Sequence, residues 1–365
     1  MRPAFKFVAI NAIIVFVVFN VVIWGICLAT SVYIALSSGA KTEIAVNARR
    51  KAALPNYANV DWALTHFKEF ASLQSRYVSY LGWRRLPFEG KTISIGGHYA
   101  QRRTIGSNDA SKPSVYFFGG STMWGTGADD ANTIPSRFAQ LSGYRVENFG
   151  ETAYTAHQGL MMLIRLLQDG HRPDIVVFYD GANDVVHKCR SELNAWSHAR
   201  EHQMSSALQG ASYGREYGLQ YMFRPLAALA GTVSGSFSRR SRSDDSFFSC
   251  HSDTKKAQQI ADNLLEDWAL ARKLVEAHNG KFFGVLQPIS YFSETKVDHL
   301  KQRDTERKQF AAVYPLIRQR MAEQSDLYDF TDMLNKQEYI YIDFCHLSPN
   351  GNLYVAQKLV QTLVK

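Results

Sequence analysis

From Ser114 onward the sequence alternates short apolar runs with segments of helical spacing, and this alternation restricts the possible folds more than any other feature. Val115-Tyr116-Phe117-Phe118 is a continuous apolar run, the pattern of a strand covered on both faces. Thr133 before Ile134-Pro135 marks a helix start. Residues 144–149 read as a second strand and 158–168 as a helix closed by Gly170. A third strand is predicted over 174–179, and a fourth over Lys281–Leu286 after a helix at 256–278 that ends at Asn279-Gly280. A helix at about 303–324, a fifth strand at 327–330 and a last helix opened by Pro349 complete the pattern. Such an order implies an α/β fold, with a parallel sheet and helices on both of its sides.

Two segments stand outside this repeat. Residues 190–250, rich in Ser, Ala, Gly and Arg, interrupt it after the third strand. They read as an insertion, helical around 195–208, that serves either as a lid or docking element or as a tolerated surface excursion. Ahead of the repeat, Val60, Leu64, Phe67 and Phe70 are spaced for one face of a helix within 41–80. A strand pair is expected around Thr92-Ile93-Ser94-Ile95, with Gly96-Gly97 as its turn. The chain thus divides into 1–40, a juxtamembrane segment 41–110, and a main domain 111–365 carrying the 190–250 insertion.

Residues 7–40 hold no Lys, Arg, Asp or Glu, and Val, Ile and Phe dominate as far as Leu36. That exceeds the ~20 residues a helix needs to cross a bilayer, and a cleaved signal usually has an apolar core of only about 7–15 residues. The expectation is a single-pass anchor with a short cytoplasmic stub; a cleaved signal is the alternative. Arg2 and Lys6 flank one end, and Lys41, Arg49, Arg50 and Lys51 the other, so charge alone leaves the orientation open. Of the four cysteines, Cys27 falls in the apolar stretch. Cys189 and Cys250 bracket the insertion and either form a disulfide or, with Cys345, remain free thiols.

The formal charge of +8 is compatible with anionic lipid, acidic polysaccharide or nucleic acid. There is no zinc-finger spacing, and the densest basic run, Arg239-Arg240-Ser241-Arg242, reads as a solvated loop. No nucleic-acid partner is expected.

Four short segments carry the chemistry: Gly119-Gly120-Ser121-Thr122, Asn148-Phe149-Gly150-Glu151-Thr152-Ala153, Gly181-Ala182-Asn183-Asp184 and Asp343-Phe344-Cys345-His346. Each follows, or lies near, the end of an apolar run, and in open parallel sheets ligands bind at the carboxyl ends of strands. Ser121 offers a hydroxyl where the glycines keep bulk away. Met123 stands where a Gly-x-Ser-x-Gly elbow would need its last glycine, so that motif is absent. The Asn183 side chain can donate to an oxyanion, while Asp184 reads as a brace between loops. Asp343, three residues before His346, can hold one imidazole nitrogen while the other faces the serine.

In this order the segments resemble the SGNH (GDSL-like) hydrolase superfamily, over about residues 114–365. The resemblance implies a flavodoxin-like three-layer α/β/α sandwich. It makes Ser121 the nucleophile, His346 the base and Asp343 its orienting carboxylate. The oxyanion hole would combine the Ser121 N–H, a backbone N–H of the second segment and the Asn183 side chain. Two positions depart from the family pattern. Gly120 replaces the usual Asp before the serine, and the family's oxyanion glycine falls at Ala153, with Gly150 three residues earlier as the other donor. At Ala153 a positive φ would be strained by the Cβ.

These readings converge on a membrane-anchored serine esterase or O-acyltransferase. Its expected substrate is an acylated, especially acetylated, cell-envelope carbohydrate or another ester, handled on the outer (periplasmic) face of a bacterial inner membrane, with no cofactor and no metal. A lipid esterase and a catalytically silent glycan-binding module are the alternatives. Trp124 and Tyr154 are candidates to line a sugar or acyl pocket, or else core residues. His198-Ala199-Arg200-Glu201-His202 also matches the His-x-x-Glu-His pattern of inverted zinc peptidases, which needs both imidazoles on one helical face.

Overall fold

The computed structural model describes residues 3–36, 39–106, 109–216 and 247–364. The chain forms two compact units, one of residues 1–45 with 202–243 and the other of 46–201 with 244–365. The first unit contains α1 (Pro3–Leu36) and the start of α2 (Gly39–Ala52). Helix α1 is 34 residues long, and most of its described apolar side chains are exposed, with Phe7 at 70% and Trp24 at 60%, while Ile23 is buried. Among the described residues no helix is long and apolar enough to cross a membrane. The span expected from the sequence is therefore not established by the described residues.

In the second unit the helical stretch expected within 41–80 forms in pieces, with Leu64, Phe67 and Phe70 together on α3. These are the end of α2, a 3-10 turn at Pro55–Tyr57, and α3 (Ala63–Ser72). Pro55 interrupts the helical spacing, since it cannot donate the hydrogen bond a continuing helix needs. Tyr57, Ala63 and Phe67 bury their side chains together. Strands β1 (Ser75–Val78) and β2 (Gly82–Arg85) then form an antiparallel hairpin.

Strands β3 (Phe88–Glu89), β4 (Ser94–Gly96) and β5 (Gln101–Arg102) follow, before β6 (Ser114–Gly119) opens the repeat. The expected strand pair is β4 with β5, turning at Gly97. Next come α4 (Ser121–Trp124), α5 (Ile134–Ser142), β7 (Arg145–Asn148), α6 (Ala156–Gln168), β8 (Ile175–Asp180) and α7 (Ala182–Lys188). Helix α8 (Glu201–Glu216) begins six residues later than the 195–208 expectation and straddles the two units. Most of the insertion, with the basic run 239–242, lies outside the described residues. The chain ends with α9 (Thr254–Glu276), β9 (Lys281–Leu286), α10 (Asp304–Met321), β10 (Leu327–Asp329) and α11 (Pro349–Leu363).

The sheet runs β10-β9-β8-β6-β7-β5-β4-β3. Strands β6 to β10 pair in parallel, and β3 to β5 continue the sheet in antiparallel fashion from the β7 edge through Arg102 and Asn148. Among the five parallel strands the order is that of a flavodoxin-like doubly wound sheet. The sheet continues across the boundary drawn at residue 110, so 41–110 is in part a structural extension of the main domain.

Period-two alternation sends Val115 and Phe117 of β6 to one face and Tyr116 and Phe118 to the other. On the first face Val177, Val285, Phe138 of α5, and Val355 and Leu359 of α11 close a core. On the second, Phe118 stacks on Phe178 at 4.9 Å, and Gly159 brings α6 down onto that ring, where an added Cβ would lie 3.0 Å from it. Burying such aromatic pairs contributes roughly 0.5–1.5 kcal/mol beyond area alone. This rigid sheet fixes the strand ends on which the four segments sit.

Candidate active site

Ser121 is the first residue of α4, directly after β6. The backbone bends there only because residues 119 and 120 lack side chains. A Cβ on Gly119 would overlap the Tyr179 carbonyl of β8, and one on Gly120 would overlap the Asn183 amide nitrogen. Thr122, next along, donates to the Cys345 carbonyl at 3.2 Å and accepts from Gln287 at 3.4 Å. Those bonds tie the serine turn to the loop before α11 and to the end of β9.

That loop is held at several points. Tyr341 and Leu347 form a β-bridge, Ile342 N–H donates to the His346 carbonyl at 2.9 Å, and Ser290 N–H donates to Phe344 O at 2.8 Å. Asp343 Oδ1 accepts from the N–H groups of Cys345 (3.0 Å) and His346 (2.9 Å). Its Oδ2 lies 2.6 Å from His346 Nδ1. His346 Nε2 lies 2.6 Å from Ser121 Oγ. Residues separated by 225 positions thus meet in one hydrogen-bonded chain.

The electrostatics follow from this chain. Burial alone would lower the His346 pKa, but the Asp343 carboxylate outweighs it and holds the imidazole well above its ordinary value. Burial likewise would raise Asp343, and the imidazole with the two N–H donors pulls it below the usual carboxylate range instead. The Asp343 side chain is 44% exposed, so water screens part of this coupling. Burial pushes the Cys345 thiol up, and Cys345 is a free, buried cysteine.

The donor side is less as expected. Asn183 donates one amide hydrogen to Tyr154 O at 2.8 Å, which leaves its second hydrogen uncommitted. Ser121 N–H, at the first position of a helix, has no intrahelical acceptor. Gly150 N–H, however, donates to Asn148 Oδ1 at 3.1 Å. It is not available to a substrate, which corrects the expectation for Gly150. Ala153 has φ +63°, the strained left-handed case, and its N–H has no acceptor among the described residues.

The Ala153 loop is braced by residues to which the sequence reading gave no role. Buried Glu151 accepts from Arg85 N–H at 2.9 Å and Thr152 N–H at 2.7 Å. It pairs with Arg84 at 3.9 Å and Arg85 at 3.7 Å. Arg84 also donates to the Phe149 and Gly150 carbonyls, and Trp83 Nε1 to Thr152 O at 3.1 Å. The β1–β2 hairpin therefore positions the loop. Asp184 accepts from Lys188 Nζ at 2.9 Å and from Ala156 N–H, acting as the brace expected of it.

Several alternatives that the sequence left open resolve one way. Trp124 and Tyr154 are fully buried; Tyr154 donates to the Trp83 carbonyl, so both belong to the core and neither lines a pocket. His198 precedes α8 and packs edge-on to Trp83, so it does not share a helical face with His202. The metal-ligand grouping found among the described residues is Asp343, Cys345 and His346. There both imidazole nitrogens already face Asp343 and Ser121. Cys189 and Cys250 form a disulfide that closes the base of the insertion.

No protein-family model matches the chain, and no curated protein matches it. Solved structures with a similar chain course include a member of the lipolytic protein G-D-S-L family from Veillonella parvula DSM 2008. It is 12% identical, covers 69% of this chain and 98% of its own, and has a TM-score of 0.40. A carbohydrate acetylesterase family member from Sinorhizobium meliloti is 15% identical, with 68% and 95% covered and a TM-score of 0.38. An acetyl xylan esterase is 16% identical, with 69% and 100% covered and a TM-score of 0.36. Scores this low carry no functional weight; the chemistry rests on this chain's own residues.

Proposed function

We propose that the chain is a serine esterase or acyltransferase of SGNH type, anchored in a membrane by α1 and acting on acylated, chiefly acetylated, cell-envelope carbohydrate. The observation that carries the catalytic part is the pair of 2.6 Å contacts linking Ser121, His346 and Asp343. His346 Nε2 takes the Ser121 proton as Oγ attacks the ester carbonyl. The N–H groups of Ser121 and Ala153 and the free amide hydrogen of Asn183 receive the oxyanion. The imidazolium then protonates the departing alcohol, leaving an acyl group on Ser121. Water or a sugar hydroxyl gives its proton to His346 and takes the acyl group, restoring the serine. Asp343 fixes the imidazole tautomer and stabilises the cation throughout.

Support for anchoring comes from the charge-free stretch 7–40 and the exposed apolar side chains of α1. In water that exposure would be costly. The Cys189–Cys250 bridge supports an oxidising, extracytoplasmic compartment for the second unit. The test is turnover of p-nitrophenyl acetate by the full chain in neutral detergent, beside Ser121→Ala and His346→Ala. Loss in both variants is expected; wild-type rates in either would reject the assigned roles. Faster turnover of the palmitate ester than of the acetate would redirect the reading to lipids.

A further inference from the structure

Against the Asp343 loop lies a cavity of about 600 Å³ walled by Arg50, Lys51, Lys301 and Arg303, with Asp343 and Glu306 as its acids. Both acids are engaged. Asp343 holds His346, and Glu306 takes Arg303 at 2.9 Å and the Tyr291 hydroxyl at 2.8 Å. Arg50, Lys51 and Lys301 have no carboxylate partner among the described residues, although Lys51 Nζ also sits 5.7 Å from the Phe67 ring. Tyr291 and Phe344, both lining the cavity, stack at 6.1 Å. His299 donates Nε2–H to Tyr341 O at 2.8 Å, which leaves its buried Nδ1 as an acceptor without a partner.

We infer that this cavity is a subsite for the anionic groups of an acidic glycan, placed beside the reacting centre so that the acyl group on a neighbouring sugar reaches Ser121. The inference rests on the esterase reading and names its substrate class. Three uncompensated cations attract carboxylate-bearing sugars, stacked aromatic rings suit the apolar face of a sugar, and a cavity of this size holds one or two rings. A flat basic patch would suit lipid headgroups equally well. Concavity and contact with Asp343 favour the glycan.

The test uses the full-length Ser121→Ala chain in neutral detergent and reads binding by calorimetry, with tetragalacturonate against uncharged xylotetraose. Tetragalacturonate is expected to bind at least about fivefold more tightly, an advantage that shrinks with added salt. Arg50→Gln with Lys301→Gln removes the preference, and Arg50→Lys with Lys301→Arg keeps it, which separates charge from folding. Equal affinities for the two sugars, or a preference untouched by the glutamine pair, overturn the inference. So does a thermal shift by phosphatidylglycerol micelles that the glutamine pair abolishes while glycan binding shows no preference, since the cations would then face lipid. Absent p-nitrophenyl acetate turnover would remove the esterase reading, while calorimetry would still report on the subsite.

Discussion

The amide nitrogen of Asn183 occupies the space that a Cβ on residue 120 would need. This gives a physical reason for Gly120 standing where an Asp is usual in the family the chain resembles. With the asparagine packed directly onto the serine turn and bonded to Tyr154 O, a side chain at 120 fits only if that amide gives way. Gly120→Ala should push the Asn183 amide away and cut kcat by about 10² to 10³, the usual cost of losing one oxyanion donor. KM should change far less. Steady-state kinetics decide it, and a Gly120→Asp enzyme with normal kcat would show that the turn adapts without cost.

Ala153 is a second backbone constraint, this time one of strain. An L-residue in the left-handed region costs roughly 1–2 kcal/mol more than glycine does there, and glycine in turn loses more freedom on folding. Ala153→Gly should therefore stabilise the second unit by up to about 1 kcal/mol. Urea denaturation with an unchanged m-value measures this. A lower midpoint would mean that the Ala153 methyl makes packing contacts that outweigh its backbone strain.

Acidity should reveal the dyad. The base form of His346 accumulates only as pH rises through a pKa held well above 6.5, so kcat/KM should climb with pH and its acidic limb should be centred above that value. Asp343→Asn removes the carboxylate that outweighs burial. The limb should then move to lower pH while kcat falls by about 10² to 10⁴ through loss of the tautomer. A pH–rate profile of both enzymes tests the sign. A limb unmoved by the substitution would remove Asp343 from its role.

Buried Glu151 compensates Arg84 and Arg85, and accepts from Arg85 N–H on the hairpin and from Thr152 N–H in the loop that carries Ala153. Glu151→Gln keeps the shape and removes the charge. Breaking a buried pair costs about 3–5 kcal/mol, and these contacts are long, so about 2–3 kcal/mol is expected in chemical denaturation. A slower kcat should accompany it because the loop loosens. Full stability with full activity would reduce Glu151 to a bystander.

The strand-helix alternation was legible because the central strands β6 and β8 are buried on both faces and so carry nearly continuous apolar runs. The serine, asparagine and Asp-x-x-His segments were legible because strand ends place chemistry where a short motif can be recognised. What escaped has a common cause. Arg84, Glu151 and Trp83 act through contacts between a hairpin and a loop more than sixty positions away, and nothing local in Trp83-Arg84-Arg85 marks them. Gly150 was misjudged because the acceptor of its N–H is a side chain two residues earlier. Trp124 and Tyr154 lie beside the site in sequence, yet their rings turn into the core.

The Cys189–Cys250 bridge joins the end of α7 to the chain just before α9, across 61 residues. Closing a loop of that length restricts the unfolded chain by about 4 kcal/mol in the chain-entropy picture. Both cysteines are buried, and Ser249 N–H donates to the Cys189 carbonyl at 2.9 Å. The insertion is therefore pinned at its base, behind the helix that begins with Ala182 and Asn183. Replacing both cysteines with serine should lower stability by a few kcal/mol and leave α7 freer to move, so that kcat falls more than KM rises. Thermal denaturation beside kinetics, with and without reductant, separates the cases. Reductant should bring the parent protein toward the double variant and leave that variant unchanged. A parent protein indifferent to reductant under denaturing stress would argue that the two sulfurs are not joined.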